Sequence, residues 1–128
     1  MSLKEQLHIM IVDDMSTSRG LIAQALEAIG IRNIYQASDG TAAMAELARR
    51  PVHLVLSDFN MPGMDGLQLL RSLRSTPKTR GTGFILITGR ADKQIIDQGK
   101  SLGMNNFIKK PFTAIELKAC LEAVVGRL

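Results

Sequence analysis

The sequence predicts an α/β fold: a single doubly wound, three-layer (βα)5 sandwich built on a five-stranded parallel sheet. Two observations carry this. Short runs that are apolar throughout alternate with longer segments whose apolar residues recur at helical spacing, and strands buried on both faces belong to parallel sheets covered by helices. The 128 residues also hold no repeat, low-complexity tract or linker, so the alternation runs through one unit. Right-handed crossovers then restrict the topology to a doubly wound sheet.

The elements follow in chain order. His8 to Val12 is the first strand. Ser16 stands where it would cap a helix running to about Ile29, with Leu21, Ile22, Ala25, Leu26 and Ile29 on one face and Gly30 closing it. Ile34 to Ala37 is the second strand, and a helix from about Thr41 to Arg49 stops before Pro51. Leu54, Val55 and Leu56 form the third strand, which ends at Asp58. Gly66 to Ser75 is helical with Leu69, Leu70 and Leu73 inward, and Thr76-Pro77 ends it. Phe84 to Ile87 is a strand ending in Thr88, and Asp92 to Leu102 is a helix ended by Gly103. Phe107 and Ile108 form the last strand and run into Lys109, Lys110 and Pro111. Thr113 caps the last helix, whose Leu117, Leu121, Val124, Val125 and Leu128 repeat at helical spacing.

Composition narrows the function. At 128 residues and 45% hydrophobic the chain supports one core, and it is too short for this unit plus an effector domain, so no output domain is expected over residues 1–128. Cys120, the single cysteine, reads as a buried, inert thiol with no disulfide partner. The net charge of +4 invites a nucleic-acid partner, but the cations are scattered: Lys78 and Arg80 in a turn, Arg49 and Arg50 at a helix end, Arg90, Lys93 and Lys100 near another helix. With 4% aromatics and no Trp there is little for bases to stack on, so no nucleic-acid role is expected. No apolar run approaches the roughly 18 residues of a membrane span and no leader segment is recognisable, which points to a cytoplasmic protein without a membrane partner.

Open α/β sheets place their chemistry at the carboxyl ends of strands. There the sequence puts Asp13 and Asp14, then Asp58, then Thr88, then Lys109 and Lys110. A turn-and-cap role is the rival reading of Asp13 and Asp14, yet two acids directly after a buried strand repel each other and favour a cation. Asp65-Gly66 reads as turn chemistry with no site role. His8 and His53 flank strand starts away from the acidic rim and read as structural, and Met10, Met44 and Met104 read as core or loop filling.

In the acidic pair, the Asp58 turn, Thr88 and Lys110-Pro111, and from His8 to the last helix, the chain resembles a response-regulator receiver domain of the single-domain chemotaxis type. The resemblance implies the flavodoxin-like strand order 2-1-3-4-5. It also implies a phosphorylation site at Asp58, with Asp58, Thr88 and Lys110 as the catalytic set: a nucleophilic carboxylate, with a hydroxyl and an amine on the phosphoryl oxygens. The implied cofactor is Mg²⁺, held directly by Asp14 and Asp58, through water by Asp13, and by the Asn60 backbone carbonyl. Phosphoryl transfer to a carboxylate needs in-line positioning and neutralised equatorial oxygens more than proton transfer, and a hard, octahedral cation suits that task. Thr88 and Phe107 would form the switch, and a cis Lys110-Pro111 bond would aim the amine at the site.

Three positions depart from the usual receiver pattern. Gly89 follows Thr88 where many receivers have Ala, which should loosen the loop. Arg90 stands where an acid is common and would either hold the phosphoryl group or obstruct a phosphatase. Phe107 replaces a frequent Tyr and has no hydroxyl to hydrogen-bond.

The resemblance therefore implies a stand-alone two-component response regulator that catalyses only its own phosphorylation and dephosphorylation. A histidine kinase, in particular a chemotaxis kinase, would be the donor. The flagellar motor switch would be the first candidate target, with a phosphatase as a further partner. The alternative is a phosphorelay intermediate or phosphate sink. A third reading, a Mg²⁺-dependent phosphatase with an aspartate nucleophile, needs a second acid two residues after Asp58, where this chain has Asn60. Ile95, Gly99 and Leu102 share a helical face, which leaves Ile96 outward beside Lys93 and Lys100. With Phe107 and Lys109 adjoining by resemblance, this would be an output surface for an acidic, amphipathic partner segment.

Overall fold

The computed structural model describes residues 2–90 and 92–128. Its elements are α1 (Leu3–Gln6), β1 (His8–Val12), α2 (Ser16–Ile29), β2 (Asn33–Ala37), α3 (Gly40–Arg49), β3 (Leu54–Asp58), α4 (Gly66–Ser75), β4 (Gly83–Thr88), α5 (Lys93–Leu102), β5 (Asn106–Lys109) and α6 (Ala114–Val125). The strands form one five-stranded sheet in the order β2-β1-β3-β4-β5, and every pairing is parallel.

Alternation along the strands builds a core on each face of the sheet. Ile9, Ile11, Leu54, Leu56, Ile85 and Ile87 turn toward α2 and α6, where they meet Ile22, Leu26, Leu117 and Leu121. Met10, Val12, Val55, Phe84 and Leu86 turn the other way, against Ala43, Leu47, Leu69, Leu70 and Leu73 of α3 and α4. Met10 and Met104 are buried in this second core, and Met44 packs on its edge.

Helix ends follow local chemistry. Asp39 caps α3 by accepting from Ala42 N, and Asp92 caps α5 by accepting from Ile95 N. Thr113 and Glu116 form a capping box on α6. Asp65 does more than turn the chain, because it forms a second capping box with Gln68 at the start of α4. Gly30 closes α2 at φ 109°, a left-handed conformation that an L side chain resists.

The helix after β1 differs from expectation in two places. Ser16 is its first residue and no cap: Met15 holds the cap position without a side-chain bond, and the neighbouring Asp13 carboxylate accepts from Met15 N at 3.0 Å instead. Leu21 lies off the apolar face and is 63% exposed, since the buried stripe of α2 is made by Ile22, Ala23, Leu26 and Ile29. The four-residue α1 lies below the length at which helical periodicity is readable.

At the amino-terminal edge of the sheet His53 Nδ1 accepts from His8 N at 3.0 Å, and His8 Nδ1 lies 2.7 Å from the Tyr35 hydroxyl. Both histidines are thus engaged in structural contacts. Cys120 is buried and its thiol is pushed up to about 11 by desolvation, so it stays protonated and unreactive.

Candidate functional site

Sheet register brings four loops to one rim. Val12 pairs with Ser57, Asp58 with Ile87 and Thr88 with Lys109, so the residues that leave β1, β3, β4 and β5 emerge at nearly one level. The ladder extends into the loops: Phe59 N donates to Ile87 O at 3.1 Å and Lys110 N to Thr88 O at 2.8 Å. The Lys110-Pro111 peptide is cis.

Asp13, Asp14 and Asp58 each offer a carboxylate oxygen, and these oxygens lie within 4.8 Å of one another. Asp13 is buried, Asp58 half-buried and Asp14 exposed, so the cluster opens to solvent on the Asp14 side. Lys110 reaches in from across the sheet, its Nζ 3.3 Å from Asp13 Oδ2 and 3.4 Å from Asp58 Oδ1. Burial raises the Asp58 carboxyl above its ordinary value; the Lys110 ammonium opposes that shift and the Asp13 charge adds to it. The set is all oxygen and carries more negative charge than Lys110 neutralises, the donor chemistry of a hard divalent cation.

The other residues singled out in the sequence take varied places. Asn60 is exposed, two residues beyond Asp58 in the loop toward α4. Thr88 is buried at the rim, but its hydroxyl is engaged inside its own loop, donating to Arg90 O at 2.9 Å and accepting from Arg90 N at 3.0 Å. Lys93, Lys100 and Lys109 are exposed. Phe107 is half-buried against the second core. Ile96 departs from the outward position expected: it is half-buried and packs on that same core beside Ile95, Leu102 and Phe107. The ten-residue helix packs a wider stripe on the core than Ile95, Gly99 and Leu102 alone define.

Two residues of the site escape sequence reasoning. Ser18 donates to Asp13 Oδ2 and accepts from Lys110 Nζ at 3.1 Å. Arg19 Nη1 donates to the Asp13 carbonyl at 2.7 Å. Their one sequence signal is position, since the first turn of a helix that follows an acidic loop faces back toward that loop.

The fold and rim together define a class of signalling domain. The profile of the response regulator receiver domain matches residues 9–122, and the chain belongs to that family. Domains of this family accept phosphate from histidine kinases and act on downstream targets; they are signalling receivers and not turnover enzymes.

Within the family the likeness is to CheY proteins. The chain is 43% identical over 128 residues to the probable chemotaxis protein CheY of Rhizobium etli, covering 100% of this chain and 99% of that protein. The solved structure of chemotaxis protein CheY4 of Vibrio cholerae superposes with a TM-score of 0.86 at 25% identity, over 92% of this chain and 98% of that one. The receiver domain of the sensor histidine kinase PA1611 of Pseudomonas aeruginosa, solved with magnesium coordinated in its active site cleft, gives 0.84 at 27% identity, over 94% and 98%. Among the described residues no helix is long and apolar enough to cross a membrane.

Proposed function

We propose that this chain works as a phospho-receiver in chemotactic signalling, taking phosphate from a histidine kinase onto Asp58 and passing the signal to a separate protein. The observation that carries the reading is the convergence of the Asp13, Asp14 and Asp58 carboxylates with the Lys110 ammonium on one rim. The full-length match to a chemotaxis relative supports it.

Asp58 is the nucleophile in this reading. It is the strand-end acid that has Lys110 on one oxygen and is only half-buried. Asp14 and Asp58, with the Asn60 carbonyl, would hold Mg²⁺ directly, and Asp13 would act through water. When bound, Mg²⁺ neutralises charge on the phosphoryl oxygens. Lys110 pairs with one phosphoryl oxygen. Thr88 gives up its bonds to Arg90 and turns its hydroxyl to another, and that exchange rearranges the loop leading into α5. Phe107, packed beside α5, follows this change, so phosphate biases the molecule between two states of one face. The flagellar motor switch is the target this reading favours.

Incubation with a chemotaxis kinase or a small acyl-phosphate donor, with and without Mg²⁺, tests the reading. Labelling should need the cation and vanish in Asp58→Asn. Stoichiometric labelling of that variant would remove Asp58 from its role. Asp14→Asn should weaken Mg²⁺ binding at least tenfold without unfolding the protein, and unchanged affinity would take Asp14 out of the site.

A further inference from the structure

We infer that Ser18 is a positioning residue of the phosphoryl-transfer site, holding the Lys110 ammonium where it meets the charge that develops on the phosphoryl group. The inference rests on the assignment of Asp58 as phosphoacceptor. An ammonium has three donors and no acceptor. Here the three face Asp13 Oδ2 at 3.3 Å, Asp58 Oδ1 at 3.4 Å and Ser18 Oγ at 3.1 Å. The neutral hydroxyl is the nearest of the three. It is itself fixed, because its own proton goes to Asp13 Oδ2, and Asp13 is held by Met15 N on its other oxygen. Ser18 and Asp13 thus form a rigid two-point cradle for the ammonium.

Phosphorylation changes one of the three partners and leaves the cradle in place. In the forward step the donor's bond to phosphorus breaks, nitrogen–phosphorus in a phosphohistidine or oxygen–phosphorus in an acyl phosphate, its electron pair leaves with the imidazole nitrogen or the carboxylate, and an Asp58 oxygen–phosphorus bond forms. In hydrolysis a water oxygen bonds to phosphorus, the Asp58 oxygen–phosphorus bond breaks with its electron pair returning to the carboxylate, and the water proton passes to solvent. In both steps charge gathers on the equatorial oxygens. The donor that faced Asp58 turns to one of those oxygens, while the other two stay on Asp13 and Ser18. Without the Ser18 hydroxyl the ammonium keeps only carboxylates as partners, and the flexible lysine stem lets it settle between them, away from the phosphoryl group.

Decay of the aspartyl phosphate after donor removal, in saturating Mg²⁺, isolates this role, because donor binding does not enter. Ser18→Ala and Ser18→Val should slow the decay about tenfold, the loss expected of one misplaced charge-assisted hydrogen bond. Ser18→Thr should stay within about twofold of the parent, since it keeps the hydroxyl; its extra methyl has room in the open groove that Ser18 lines with Leu21, Ile22 and Pro111. Val and Thr have the same shape, so a purely structural role would move them together. Equal decay in all four proteins, or equal slowing in Val and Thr, overturns the inference. Failure of the parent protein to label on Asp58 overturns the underlying assignment instead, and the two failures are read from different lanes of one experiment.

Discussion

A carboxylate at the end of a buried strand is costly unless something answers its charge, and Asp58 is answered by the Lys110 ammonium at 3.4 Å and by the Phe59 backbone N–H. Its pKa is raised, chiefly by burial, so the native state binds that proton more tightly than the unfolded chain does. The linked stability is therefore present below the ordinary value of 3.8 and is lost as the pH rises through the higher folded value. At neutral pH without divalent cation, Asp58→Asn should then raise the unfolding midpoint by a few degrees, the shift that roughly 1 kcal/mol produces in a domain of this length once solvent screening is allowed for. The difference should shrink as the pH falls, and excess Mg²⁺ should raise the parent midpoint more than the variant's. Parallel stability curves from neutral to acid pH would contradict the electrostatic account. At this scale the acids and Lys110 were legible in the sequence, because each stands at or just beyond the carboxyl end of a strand with an apolar run. Ser18 was not, since its bond to Lys110 joins residues 92 apart and a serine on a helix shows no preference for one face.

Helices and strands were legible wherever two signals coincided, as an apolar run with a strand-end polar residue or a periodic stripe with a cap. The sequence said less about what fixes one element to the next. Arg74, near the end of α4, donates to Gly103 O at 2.9 Å, Arg80 O at 3.0 Å, Thr82 O at 2.6 Å and Asn105 Oδ1 at 3.2 Å. One guanidinium thus ties α4 to the loops that deliver β4 and β5, and composition alone counts it as another scattered cation. Arg74→Ala should cost about 2 kcal/mol in urea unfolding, and Arg74→Lys should recover less than half because an ammonium cannot span four acceptors in a fixed fork. Full recovery by Lys would reduce the role to charge. Gly66 makes the other critical junction: a Cβ there would sit 2.5 Å from Asp58 O, a contact with backbone that cannot swing away. Gly66→Ala should destabilise by about 2 kcal/mol or more and disturb the Asp58 loop. Unchanged denaturation and unchanged Asp58 labelling would mean that α4 can shift freely against β3.

Over the whole molecule the net charge is +4, although Asp13, Asp14 and Asp58 gather at the rim. Lys93 and Lys100 are exposed on α5 and Lys109 is exposed at the end of β5, on the side of the sheet where Phe107 and Ile96 pack against the core. Because Ile96 is half-buried and not a free anchor, an Asp in its place would disturb packing as well as binding, so charge is the cleaner probe of this face. Electrostatic attraction chiefly speeds encounter and fades with salt. Reversing Lys93 and Lys100 to Glu should therefore slow association of the phosphorylated protein with an acidic, amphipathic segment about tenfold at low ionic strength. Near 1 M salt, where the screening length is about 3 Å, the loss should become small. Both lysines are exposed and distant in sequence from the rim acids, so Asp58 labelling should be unaffected. If the charge-reversed protein still labels and its association rate keeps both its size and its salt slope, the output face lies elsewhere. A phosphate-sink role, which needs a working rim and no such surface, would then explain the molecule better than motor control.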